Sequence, residues 1–158
     1  MIFFDASAIV KAYVPEPGSP SVHGAIARMK GKLYLTRAVA LEALGTFARK
    51  RRRDELTNRE YRAARDAFLR ELEVTFRLLE LREFDFTTAF SLVDAYRHVG
   101  AGATDLLHIA SALHLQARSA GPVTVASSDG AFLVVARAAG LPTFDPETQP
   151  LSALLGSR

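Results

Sequence analysis

Cysteine is absent from the 158-residue chain. That excludes a disulfide framework and any thiolate metal site. Long apolar runs are absent too: none approaches the roughly 20 residues needed to span a bilayer. The opening Met1-Ile2-Phe3-Phe4-Asp5 lacks the basic stretch and extended apolar core of a secretory signal. A cytoplasmic protein with no membrane association is therefore expected. No internal repeat and no low-complexity linker breaks the chain, and its length fits one compact domain over residues 1–158. No glycine-rich loop follows the first apolar run, which excludes a dinucleotide-binding fingerprint.

At 49% hydrophobic residues, the chain can bury a real core. Short apolar runs alternate with longer helical patterns, which predicts an α/β fold. Met1–Phe4 is a continuous apolar run and reads as a buried parallel strand. Pro15–Pro20 reads as a loop, with Ser19 capping a helix that ends near Gly31. Leu33–Thr36 reads as a second strand, followed by a helix over Ala38–Arg51. Thr57-Asn58-Arg59-Glu60 is a capping-box pattern that opens another helix. Phe76–Leu81 reads as a third strand. Helices are expected over Phe86–Val99 and Thr104–Ala117, and a fourth strand over Pro122–Ser127. A short helix over Ala131–Ala139 and an edge strand at Thr143–Phe144 complete the pattern.

Of 17 acids, four stand apart from other charges. Asp5 is the one charged side chain in Met1–Val10, and Glu42 the one in Ala38–Ala48. Asp105 is the one formal charge from Val99 to Leu113, and Asp129 the one from Ser119 to Ala136. A lone charge in an apolar segment is expensive to bury unless it is paired or binds a metal. Asp5 follows the first strand and Asp129 the fourth, where open parallel sheets bind ligands. Glu42 and Asp105 fall near the starts of two helices, so the fold can gather all four at one sheet edge. Clustered carboxylates without Cys or clustered His suit Mg²⁺ or Mn²⁺ rather than zinc. Such a site cleaves phosphodiesters. Taken singly, Asp5 also reads as a cap for a helix starting at Ala6, and Asp129-Gly130 as an ordinary turn and cap.

Other acidic folds fit less well. A receiver domain needs paired acids after its first strand and a lysine near its last, and no lysine follows Lys50. A haloacid-dehalogenase-type phosphatase needs Asp-x-Asp, which Asp5-Ala6-Ser7 breaks. Four segments in order instead resemble the PIN-domain family and, within it, the VapC-type toxins. They are Ile2–Tyr13 with Glu16-Pro17-Gly18-Ser19, then Ala40–Ala43, Thr104–Leu113, and Val125–Leu133 with Ala139-Gly140-Leu141. The resemblance implies a Rossmann-like α/β/α sandwich with a central, mostly parallel sheet. It implies a Mg²⁺- or Mn²⁺-dependent endoribonuclease, homodimeric, acting on RNA. It also implies the toxin role in a type II toxin–antitoxin pair, with a cognate VapB-type antitoxin. It assigns metal-binding and catalytic roles to Asp5, Glu42, Asp105 and Asp129. Ser7 matches a hydroxyl that supports the first Asp, although a helix cap explains it equally well. The alternatives are a non-toxin RNA-processing PIN nuclease and a PIN scaffold that only binds RNA or protein.

Among the remaining residues, the consecutive cations Arg49, Lys50, Arg51, Arg52 and Arg53 can grip RNA phosphates. They equally read as a solvated helix end complementing the helix dipole. His108 reads as core or as support for the acids. His23, His98 and His114 form no cluster. Phe84, Phe86 and Phe90 read as core.

Overall fold

The structure is a computed structural model that describes the chain through Leu155. Its center is a five-stranded, all-parallel sheet in the order β3-β2-β1-β4-β5. The strands are β1 (Ile2–Phe4), β2 (Leu33–Thr36), β3 (Arg77–Leu79), β4 (Thr124–Ala126) and β5 (Thr143–Phe144). All three residues of β1 are buried, as a strand covered on both faces requires. The register Ile2↔Leu33 on one side and Ile2↔Thr124 on the other makes β1 the middle of the sheet.

Chain direction across the sheet reverses at β1. The connections to β2 and β3 carry α1 (Ala6–Ile9) with a following 3-10 turn (Val10–Ala12), then α2 (Ser19–Arg28), α3 (Arg37–Arg52) and α4 (Asn58–Thr75). The connections to β4 and β5 carry α5 (Glu83–Ala95), α6 (Ala103–Ala117) and α7 (Gly130–Ala138). Right-handed crossovers on either side of a reversal place these helices on opposite faces. The contacts agree: α3 packs on α1 and α4, while α6 packs on α5 and α7. The α/β architecture expected from the sequence is the one observed.

Helices α3 and α4 start where a side chain satisfies their free N–H groups. The Val39 N–H donates to Thr36 Oγ1 at 3.1 Å, opening α3. Thr57 and Glu60 form the expected capping box on α4, with the Thr57 N–H donating to Glu60 Oε2 at 2.7 Å. Ser19, however, is the first helical residue rather than the cap. Its hydroxyl turns back into the preceding loop, accepting from the Glu16 N–H at 3.0 Å. Gly18 takes the cap position at φ +88°, and a side chain there would collide with the Pro146 carbonyl. Helix α5 begins earlier than expected, because Asp85 reaches back to the Arg82 N–H at 2.7 Å. The sequence pattern also passed over α8 (Leu151–Leu155), whose Leu151 packs on Gly24 of α2.

One core expectation fails. Phe84, Phe86 and Phe90 are exposed, Phe90 by 70%. The core lies elsewhere, around Phe3, Phe4, Phe47, Phe68, Phe132 and Phe144. Helix α5 packs on α6, which leaves its outer face without cover.

Candidate active site

The reversal at β1 opens a crevice at the carboxyl ends of β1 and β4. Asp5 leaves β1 with its N–H donating to the Ala126 carbonyl of β4 at 2.9 Å. Asp129 follows β4 and caps α7. Glu42 comes from the second turn of α3, the helix that leaves β2. Asp105 lies in the first turn of α6. Because α6 leads back to the start of β4, its N-terminus faces the same edge. All four carboxylates line one cavity of about 680 Å³.

Each acid is pinned by one oxygen. Asp5 Oδ2 accepts from the Ser7 N–H at 3.1 Å, the Ser7 hydroxyl at 2.6 Å and the Ser127 hydroxyl at 3.0 Å. Asp105 Oδ2 accepts from the Gly102 N–H at 2.8 Å, and Asp129 Oδ1 from the Phe132 N–H at 3.0 Å. Glu42 Oε2 bonds to His108 Nε2 at 3.1 Å. Among the described residues, no hydrogen bond takes the second oxygen of Asp5, Asp105 or Asp129. Capping and cavity-lining are therefore compatible: both Asp5 and Asp129 do each.

The electrostatics show that the charges act on one another. Burial, and then the charges of Asp5, Asp129 and Glu42, raise the Asp105 pKa, against the pull of the Gly102 N–H. Glu42 goes the other way, because its hydrogen bond to His108 outweighs its burial. His108 is fully buried. Both of its ring nitrogens have partners: Nε2 lies 3.1 Å from Glu42 Oε2, and Nδ1 lies 3.5 Å from the Thr36 hydroxyl. Thr36 in turn accepts from Val39, so the cap of α3 and the orientation of Glu42 share one chain of bonds.

Hard oxygen donors with free lone pairs on one cavity have the chemistry of a Mg²⁺ or Mn²⁺ site. They do not form a closed cage: among the described residues, no three His, Asp or Glu converge closely enough to hold an ion unaided.

Several residues of the site lay in segments quoted from the sequence but were given no such role there. Ser127 donates to Asp5 and accepts from the Asp129 N–H at 3.0 Å, linking the two strand-end acids, with its hydroxyl 3.0 Å from that of Ser7. Lys11 is buried and pairs with Glu16 at 3.1 Å and Glu147 at 2.6 Å. Glu16 also takes Lys50 at 2.6 Å. Burial works to raise the Glu16 pKa, but the two lysines outweigh it and the net shift is downward. The basic run divides: Arg49, Lys50 and Arg53 line the acidic cavity, while Arg51 and Arg52 line a separate one.

The PIN-domain sequence model matches residues 2–138 of this chain, which spans all four acids. The chain belongs to the PIN-domain family. Its fold agrees with solved structures at low sequence identity. FitAcB from Neisseria gonorrhoeae is 18% identical with a TM-score of 0.68, over 94% of this chain and all of that one. A FitAB structure bound to the IR36 DNA fragment is 17% identical with a TM-score of 0.65, over 95% of this chain and 98% of that one. PAE2754 from Pyrobaculum aerophilum is 17% identical with a TM-score of 0.64, over 98% of this chain and 96% of that one. No curated protein matches the sequence. Among the described residues of this PIN domain, no helix is long and apolar enough to cross a membrane.

Proposed function

We propose that this PIN-domain protein is a Mg²⁺- or Mn²⁺-dependent endoribonuclease, the VapC-type toxin of a type II toxin–antitoxin pair. One observation carries the reading: four carboxylates, isolated in sequence and supplied by four separate segments, line one cavity at the sheet edge. Asp5 and Asp105 would hold a metal ion directly. Glu42 and Asp129 would bind it directly or through water, or hold a second ion. Bound there, the ion would lower the pKa of a water and offset charge on the scissile phosphate.

The chain's own side chains supply orientation and proton transfer. Ser7 and Ser127 fix one oxygen of Asp5, and His108 fixes Glu42. A carboxylate takes the proton as water attacks phosphorus. The leaving oxygen is the 3′-oxygen, so the products carry a 5′-phosphate and a 3′-hydroxyl. The RNA 2′-hydroxyl takes no part.

The toxin role rests on the VapC-type resemblance of the four segments. The similar FitAB structure, described with DNA bound, fits a toxin that works beside a DNA-binding partner. The proposed antitoxin lays a helix or extended segment over the acidic cleft and offers it a basic side chain. Asp5→Asn and Asp105→Asn keep side-chain shape but remove charge an ion needs, so each should abolish RNA cleavage in a folded protein. Chelator should do the same to the native protein, and Mg²⁺ or Mn²⁺ should restore it. Full activity in chelator, or 2′,3′-cyclic phosphate ends, would falsify the mechanism. Cleavage left unchanged by the product of the adjacent gene would favour an RNA-processing nuclease over a toxin.

A further inference from the structure

The five consecutive cations at the end of α3 are alike in sequence and unlike in the fold. Lys50 is taken by Glu16 at 2.6 Å and Glu55 at 2.9 Å. Arg51 is held by Asp54 at 2.8 Å and Asn58 at 2.6 Å, and with Arg52 it faces away from the acids. Arg49 and Arg53 are different. Both are exposed, and both line the acidic cavity. Among the described residues, neither has a carboxylate within ion-pair distance, and Arg49 donates to the Thr46 hydroxyl at 2.9 Å.

Their spacing follows the helix period. Glu42, Thr46, Arg49 and Arg53 recur at intervals of three or four residues, so they form one stripe along α3 that ends on its C-cap, Arg53. The stripe begins at a site carboxylate and ends in two guanidinium groups. At the usual helical rise, Arg49 lies about 10 Å beyond Glu42 along the axis, and Arg53 about 6 Å further. Long side chains on successive turns of one helix face can reach successive backbone phosphates. Guanidinium forks match phosphate oxygens in shape as well as charge. The helix dipole accounts for cations anywhere around the last turn. It does not account for two that stay free of carboxylates in a cavity rich in them.

We infer that Arg49 and Arg53 form a phosphate rail. They grip two successive backbone phosphates of single-stranded RNA and so set the path of the strand away from the acids, while Lys50, Arg51 and Arg52 contribute no direct contact. The choice of RNA rests on the nuclease reading above. The test is fluorescence anisotropy of a labelled, mixed-sequence single-stranded RNA over a salt series, with Mg²⁺ present and Asp5→Asn as background. Each phosphate contact on a single strand contributes roughly 0.7 to the slope of log affinity against log salt. Arg49→Gln with Arg53→Gln should therefore lower the slope by about 1.4, and Arg51→Gln with Arg52→Gln should leave it unchanged. Arg49→Lys with Arg53→Lys should keep the slope, which separates lost contacts from misfolding. In the cleaving protein, the glutamine pair should raise KM with little change in kcat, as loss of uniform binding does.

An unchanged slope in the Arg49/Arg53 pair overturns the rail. So does an equal loss from the Arg51/Arg52 pair, which marks a diffuse field. Unchanged RNA binding with lost binding of an inhibitory protein overturns it in favour of a protein interface. A slope lost as expected in a protein that never cleaves RNA keeps the rail and sinks the nuclease. An unchanged slope in an active nuclease does the reverse.

Discussion

Asp105 sits where the fields of the other three acids overlap, and its raised pKa has a sign that can be measured. A carboxyl whose pKa is higher in the fold than in the unfolded chain binds its proton more tightly when folded. The stability it contributes is complete below the ordinary carboxylate pKa and is lost as pH rises through the raised value. At pH 7 the ionised group therefore works against the fold, modestly, because it is only half buried. Asp105→Asn keeps an oxygen for the Gly102 N–H and removes the charge. Its Tm should exceed the native value by a few degrees at pH 7 and lose that margin near pH 3, in metal-free melts. A variant no more stable at either pH would show that solvent already screens the site. Glu42 has the opposite sign: its stabilising pair with His108 is present above the ordinary carboxylate range and is lost as pH falls. The four acids were legible because each interrupts an apolar segment. Lys11 does the same between Asp5 and Glu16, and the rule applied to cations would have found it. Its partner Glu147 lies 136 residues away, where no local pattern reaches.

Elements were legible where a local rule decides them. The α4 capping box is one, since both of its bonds lie within four residues. Thr57→Ala removes the oxygen that accepts from the Glu60 N–H at 3.2 Å. The loss should be about 1 kcal/mol, a fall in Tm of about 3 °C for a domain of this size. The RNA cleavage proposed above should be unchanged, because Thr57 is not among the residues that line the acidic cavity. A larger fall would mean that α4 supports more of the core than Ala64 and Phe68 imply. Strand ends were less legible. The apolar run Pro122–Ser127 yields only Thr124–Ala126 as strand, because its partners run out at Phe4 of β1 and Phe144 of β5. Apolar composition marks what is buried, whereas a strand ends where its ladder partners do. Helix α5 was misread for a related reason: Phe86 and Phe90 lie one turn apart, but that spacing alone does not say which side meets the core.

At the scale of the whole molecule, α5 carries a stripe of Phe86, Phe90 and Val93, exposed by 41%, 70% and 45%. A surplus apolar face of this kind marks an interaction surface, and the homodimer implied by the resemblance is the expected occupant. Phe90→Glu should convert a dimer to a monomer in analytical ultracentrifugation without unfolding it. A dimer of unchanged stability would place the interface elsewhere. The central position of β1 has a consequence of another kind, in time rather than space. Its second neighbour β4 lies more than a hundred residues downstream, and the bond from Ser127 to Asp5 closes a gap of 122 residues. At the usual 5–20 residues per second, a ribosome needs roughly 6–24 s to cross that gap. Until then the growing chain has Asp5 without Ser127 or Asp129, and a sheet whose middle strand is open on one side. Protein still being synthesised therefore carries an unfinished acidic set, and the cavity is complete only once the chain has passed Asp129.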